Sequence, residues 1–226
     1  GALRIPLTLD PAAIPVDVQE PVPTYLPLPD DVPAAPVPAS IPPDGEEERV
    51  YSASEVEAYL RGPQESAAGE DPVTRGLVVH EVFRGRDPAA MLREYGMDPG
   101  RAPEYRELYE RFLASPLMQG VVRDHREVPF SARVNGFAFR GVIDRLVQRP
   151  DGAWLLIDYK TGTPDDADYA VQMTIYRRAA ARILGSPVTP FLYFVDADRW
   201  VEIEADEEQV FAEIGRAVRG MEARGF

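Results

Sequence analysis

From Val50 onward the apolar positions follow two periods, and the change of period divides the chain. In the first stretch they recur at helical spacing, which gives each segment one apolar face. Ser52-Ala53-Ser54-Glu55-Val56-Glu57 carries overlapping capping boxes for a short helix that runs to about Arg61 and stops at Gly62-Pro63. A second helix is predicted from Val73 to Phe83 and a third from Asp87-Pro88 to about Tyr95. A fourth runs from Pro103 to about Ala114, with Tyr105, Leu108, Tyr109 and Phe112 on one face. The period then shortens to two. Glu127 to Val134 and Phe137 to Val147 are predicted strands, joined by Asn135-Gly136, a pair suited to a type I′ hairpin. Pro150-Asp151-Gly152 is the next turn and Trp154 to Lys160 the next strand. A long helix follows from about Asp168 to Leu184, stopped at Gly185-Ser186-Pro187. Strands over Val188 to Val195 and Arg199 to Glu204, and a helix from about Asp206 to Arg224, complete the pattern. Helices, a three-strand meander, a helix and further strands predict an α/β domain with a mixed sheet flanked by helices.

Residues 1–48 obey neither period. They hold 12 of the 23 prolines, between Pro6 and Pro43, with acidic runs at Asp30-Asp31 and Glu46-Glu47-Glu48. Such a stretch sustains neither a helix nor a central strand. It is expected to be an extended, acidic linker or strap, with Leu3, Ile5, Leu7 and Leu9 leaving room for one short edge strand. The expected division is therefore a Pro-rich segment over 1–48 and a folded domain over 49–226. A tether to another domain and an unstructured tail both satisfy this composition.

The bulk numbers narrow the chemistry. At 226 residues and 45% hydrophobic content the chain can bury a core, and no apolar run approaches the roughly 18 residues of a membrane span. The start, Gly1-Ala2-Leu3-Arg4, has neither an initiator Met nor a signal-peptide pattern, so a piece of a larger cytoplasmic protein is expected. With no cysteine there can be no disulfide, zinc–thiolate site or iron–sulfur cluster. The net charge of −14 argues against a general nucleic-acid binder. The charge is uneven, however: residues 1–50 hold 2 Arg against 9 Asp/Glu, while residues 101–149 hold 9 Arg against 6. Local engagement of a phosphate backbone, through Arg and a metal cation, stays open.

Among the cations there are 23 arginines and one lysine, Lys160, in Ile157-Asp158-Tyr159-Lys160-Thr161-Gly162. A position that keeps Lys against this background calls for a compact point charge where a guanidinium fork does not fit. Asp158 lies two residues earlier on the same strand, so both side chains leave by one face. A carboxylate and an ammonium so placed can bind a metal ion and polarise a water, and an ordinary same-face ion pair satisfies the same spacing. With the following hairpin centred on Asp151, Asp144 of Gly141-Val142-Ile143-Asp144 falls across from Asp158. Like charges directly opposite on a sheet repel, and a divalent cation is the usual reason for keeping them. His80, on an apolar helix after Gly76-Leu77-Val78-Val79, is a core histidine when taken alone and a ligand when set beside two carboxylates. His125 is expected to be a solvated surface residue. Gln172 and Tyr176 share a helix face just past the motif, where an amide and a phenol can orient the Lys or touch a phosphate. Plain amphipathic patterning gives the same spacing.

Taken in order, Gly76-x-x-x-His80, Gly141-x-Ile143-Asp144, Ile157-Asp158-Tyr159-Lys160-Thr161-Gly162 and Gln172-x-x-x-Tyr176 resemble the motifs of RecB-type nucleases. These belong to the PD-(D/E)xK superfamily, whose fold is restriction-endonuclease-like. The resemblance covers about residues 50–200. It implies that Asp144 and Asp158 hold Mg²⁺ or Mn²⁺, with His80 and the main-chain carbonyl of Tyr159 completing the shell. It further implies that Lys160 positions the attacking water, and that Gln172 and Tyr176 brace the site or touch DNA. Glu127 resembles an acidic position on the family's first core strand and is grouped with these bracing residues. The implied activity is metal-dependent DNA hydrolysis, on a single strand fed by a helicase module of the same polypeptide or complex, with no membrane partner. Some relatives carry four cysteines for an iron–sulfur cluster. This chain has none and resembles the cluster-free branch. An inert DNA-end or partner-binding platform, or an adaptor working through the Pro-rich segment, are the alternatives.

Overall fold

A computed structural model describes residues 49–62, 72–162 and 169–224. The expected linker or strap over 1–48, with its short edge strand, lies outside the described residues.

The helical half forms where caps and periodicity place it. Helix α1, Ala53–Arg61, opens on a capping box: the Glu55 amide donates to Ser52 Oγ (3.1 Å), and the Ser52 amide donates to Glu55 Oε2 (2.9 Å). Helix α2 spans Pro72–Arg84. Helix α3, Pro88–Glu94, is capped by Asp87, whose Oδ2 accepts the Ala90 amide at 2.8 Å. A 3-10 turn at Pro99–Arg101 leads into α4, Ala102–Ala114.

The strands are β1 (Val50–Tyr51), β2 (Arg123–Val134), β3 (Phe137–Gln148), β4 (Trp154–Lys160), β5 (Val188–Phe194) and β6 (Arg199–Glu202). They form one mixed sheet in the order β1-β3-β4-β5-β6, with β2 paired along the other edge of β3. Helix α5, Ala170–Leu184, connects β4 to its parallel neighbour β5, and α6, Glu207–Ala223, closes the domain. The β2–β3 turn is tight, with positive φ at Asn135 (51°) and Gly136 (83°), as a type I′ turn requires. Strands β3 and β4 pair from Gln148↔Trp154 to Arg145↔Ile157, the register expected from a turn around Asp151. Among the described residues no helix is long and apolar enough to cross a membrane.

Two sequence expectations needed correction. Strand β2 begins at Arg123, ahead of its expected start at Glu127, and carries His125 into the sheet opposite Leu146. His125 is therefore half-buried and stacks on Trp154 (centroids 5.8 Å, planes 23° apart), and burial lowers its pKa. The run Arg123-Asp124-His125-Arg126 hides the strand because its apolar support lies on β3. Strand β1 was not anticipated: two residues are too few to show a period.

The sheet separates two cores. On one face α1, α5 and α6 bury Phe139, Ile143, Leu146, Leu156 and Leu192. On the other, α2, α3 and α4 bury Val147, Ile157, Tyr159 and Tyr193. Residue alternation along β3 breaks between them. Ile143 faces the α5 core, yet Arg145, two residues on, lies on the opposite side with its guanidinium 4.9 Å from the Phe112 ring of α4. In an unbroken strand these two would share a face. Strand β2 switches with it: Arg126 pairs with Arg145 and Val128 with Ile143, but Glu127, at φ 51°, and Asp144 form no rung between them. The switch leaves the register intact and turns one residue of each strand out of the regular pattern.

Candidate active site

Asp144 sits at that switch, 9% exposed. The β3–β4 ladder ends at Arg145↔Ile157, and the next amide of β4 to need a partner, that of Tyr159, donates instead to Asp144 Oδ2 (2.9 Å). The carboxylate thus fills the gap where the strands part. Its other oxygen lies 3.4 Å from His80 Nδ1. Helix α2 brings His80 there because Val78, Val79, Val82 and Phe83 anchor it on the α4 side. The imidazole packs edge-on to Tyr159, centroids 5.7 Å apart. Glu127 completes a group: donor atoms of His80, Glu127 and Asp144 all lie within 4.8 Å of one another.

Asp158 and Lys160 occupy the opposite face, toward α5. Lys160 Nζ lies 2.8 Å from Asp158 Oδ2 and donates to Gln172 Oε1 at 2.8 Å. Gln172 Nε2 donates to Asp158 Oδ1 (3.3 Å) and to the Tyr176 hydroxyl (3.2 Å). Asp158 Oδ2 is fully buried and has an ion-pair contact without an aligned hydrogen bond, so it keeps acceptor capacity. Lys160 also lies over the Tyr169 ring, 4.8 Å from its centroid. Tyr176 is held edge-on to Phe130 (5.5 Å), directly above Gly141, where a Cβ would come within 2.9 Å of the Phe130 ring. A side chain at 141 would push this stack into the site.

Electrostatics separate the two halves as well. Burial pulls His80 down, but Asp144 foremost, with Asp158 and Glu127, outweighs it and lifts its pKa to about 9. Burial, then the neighbouring Asp144, raises Glu127. Asp158 is raised by burial against the opposing pull of Lys160. Lys160 is raised too, Asp158 more than offsetting its desolvation. Three carboxylates and an imidazole form a donor set of hard oxygens and one nitrogen, which fits Mg²⁺ or Mn²⁺.

The side chains read from the sequence gather around this gap from its two sides, but the expected placement of Asp144 directly across from Asp158 does not form: the β3–β4 ladder stops one pair short, and the two carboxylates face opposite sides of the sheet. Glu127, grouped there with the bracing residues, stands in the cluster able to grip a cation. Asp158 lies instead in the Lys160–Gln172 network. Gln172 and Tyr176 make polar contacts rather than mere apolar packing.

Two supports were missed. Behind the site, Arg145, 1% exposed, donates Nε and Nη2 to Asp124 (2.6 Å each) and Nη1 to the Tyr159 hydroxyl (3.3 Å). Beside it, Asp196 pairs bidentately with Arg75 of α2 and accepts the Gly162 amide at 2.5 Å. The parallel register Lys160↔Phe194, carried two residues on, brings Asp196 to Gly162. No spacing within a single segment reveals either partnership.

Residues 51–225 match the family model of the PD-(D/E)XK nuclease superfamily. Over 123 residues the chain is 31% identical to an ATP-dependent helicase/nuclease subunit of Oceanobacillus iheyensis, a match covering 42% of this chain and 10% of that much longer protein. The fold resembles a solved structure named as an exonuclease of Eubacterium rectale, with TM-score 0.53, 14% identity, and coverage of 75% of this chain and 80% of that one. With a family match over nearly all of the folded region and the expected residues gathered at one break in the sheet, this chain belongs to the PD-(D/E)XK nuclease superfamily.

Proposed function

We propose that this domain is a Mg²⁺- or Mn²⁺-dependent DNA nuclease. It acts on a single strand delivered by a helicase module of the same polypeptide or complex, in the processing of double-strand breaks in the cytoplasm. The observation that carries this reading is the meeting of His80, Glu127 and Asp144 with the Asp158–Lys160–Gln172 network where β3 and β4 part. Similarity to a helicase/nuclease protein supports the motor partner.

Asp144 and Asp158, with His80, the Tyr159 carbonyl and Glu127, would hold the cation. When bound, it neutralises the phosphate and lowers the pKa of a coordinated water. The chain's own groups do the rest. Lys160, kept protonated by Asp158 and fixed by Gln172, aims positive charge at the oxygen where negative charge builds. Gln172 holds the ammonium and the carboxylate in register through one amide. Tyr176, its hydroxyl kept neutral by burial with a pKa of about 12, stays a neutral hydrogen-bonding group for Gln172 or a phosphate.

The test is cleavage of single-stranded DNA with Mg²⁺ or Mn²⁺ by the wild type, Asp158→Ala and Lys160→Ala. Each variant is expected to lose at least about a hundredfold in kcat, the scale of removing one electrostatic stabiliser. Cleavage that persists unchanged in both would overturn the assignment.

A further inference from the structure

The outer half of the β2–β3 hairpin is covered on one face only. Phe130, Val134 and Phe139 are buried against the α1–α5 side. The opposite face presents Pro129, Ser131, Arg133, Ala138, Arg140 and Val142, which pair across the strands as Pro129↔Val142, Ser131↔Arg140 and Arg133↔Ala138. All are exposed except the half-buried Ala138, and Val142 keeps 43% of its surface. Among the described residues no helix covers this face, and the next position on it beyond Pro129↔Val142 is the break at Glu127 and Asp144. The bare surface therefore begins at the candidate site and runs outward from it.

Its chemistry departs from the rest of the molecule. In a chain of net charge −14 these six positions hold two arginines and no carboxylate. Arg133 donates to the Gly136 carbonyl (3.3 Å), whereas Arg140 has no ion-pair partner among the described residues. Nearly every other arginine close to the site is neutralised: Arg75 by Asp196, Arg84 and Arg86 by Glu81, Arg126 and Arg145 by Asp124. A free guanidinium beside an exposed valine and proline offers a cation for a phosphate and an apolar platform for a base. Neighbours on one face of a strand are two residues, about 7 Å, apart, so Val142 lies one step and Arg140 two steps, about 14 Å, from Asp144. A duplex keeps its base faces stacked inside, whereas a single strand can lay them on such a platform.

We infer that this hairpin face is the docking track for the single DNA strand on one side of the scissile phosphate, with Val142 under a base and Arg140 on a phosphate. The inference rests on the nuclease reading for its direction, but binding can be measured apart from cleavage. Fluorescein-labelled oligothymidylate is titrated with the full chain in EDTA, where metal-dependent hydrolysis stops, and anisotropy is read. Steady-state cleavage with Mn²⁺ is measured in parallel. Arg140→Glu is expected to weaken binding and raise KM about tenfold at moderate salt, since a like charge replaces a phosphate partner, and to leave kcat within about twofold. Arg140→Ala lowers the slope of log Kd against log salt by about one contact, near 0.7. Val142→Asp repeats the KM effect, and circular dichroism checks that each variant is folded. Folded Arg140→Glu and Val142→Asp proteins that bind and cleave like wild type would overturn the track, as would a wild type that does not bind the oligonucleotide. A wild type that binds through Arg140 but never cleaves would leave the track standing and remove the nuclease reading instead.

Discussion

The two halves of the site are built on opposite plans. Toward α5, Asp158, Lys160, Gln172 and Tyr176 form a closed network in which charge meets counter-charge and one amide ties the members together. Toward α2, His80, Glu127 and Asp144 crowd one positive or neutral ring against two carboxylates, one of them on a strained left-handed backbone. The first half is preorganised before any ligand arrives. The second holds surplus negative charge that a proton on His80 relieves in part and a bound cation would relieve further. A hydrolytic site needs both: a fixed ammonium that does not reorganise during reaction, and a metal cradle whose repulsion makes cation binding favourable.

The largest effect should come from the residue that joins the halves. Asp144→Asn keeps an acceptor for the Tyr159 amide but removes the charge. Loss of cleavage by about a thousandfold is expected, with a folded protein whose melting temperature no longer rises with Mn²⁺. Equal metal response in the variant would place the cradle elsewhere.

Next in size is the support behind the site. Arg145→Met leaves Asp124 paired with Arg126 alone and frees the Tyr159 hydroxyl, at a cost of about 2 kcal/mol read by denaturant unfolding. Adding Asp124→Leu should restore part of that stability, because apolar packing replaces a part-buried ion pair while Arg126 loses its partner nearer the surface. If the double variant recovers stability and full activity together, Arg145 has no share in aiming Asp144.

Glu127→Gln tests the cradle alone. Mn²⁺ affinity should fall by about tenfold to a hundredfold in calorimetric titration, the range seen when groups that tune a metal site are removed. Metal-free stability should rise slightly or hold, since the substitution removes repulsion from Asp144.

The smallest effect is in pH. The His80 pKa, raised from 6.5 to about 9, makes its protonated form a stabiliser of the metal-free fold. That contribution is complete below pH 6.5 and is lost as pH climbs through about 9. Metal-free melting temperatures should therefore decline across this window, while the increment given by Mn²⁺ grows because proton and cation compete for one ring. His80→Gln should flatten both trends.

Much of this was readable beforehand. Helix starts followed from Ser52 and Asp87, the β2–β3 turn from Asn135-Gly136, and the β3–β4 register from the turn at Asp151. Lys160 stood out as the one lysine among the cations. These are local matters: caps, turn residues and period depend on neighbours within a few positions. The roles of Arg145, Asp124 and Asp196 were not readable, since each acts on a partner in another segment.

The sequence by itself determined the elements, their order and which residue types were available for chemistry, because short-range sterics and hydrogen bonding act along the chain. Only the tertiary structure decided that alternation breaks at Glu127 and Asp144, so that an imidazole from one face of the sheet and an ammonium from the other meet at a single gap. That break depends on burying Arg145 on one side and Ile143 on the other, a balance of packing between two cores that no single segment encodes.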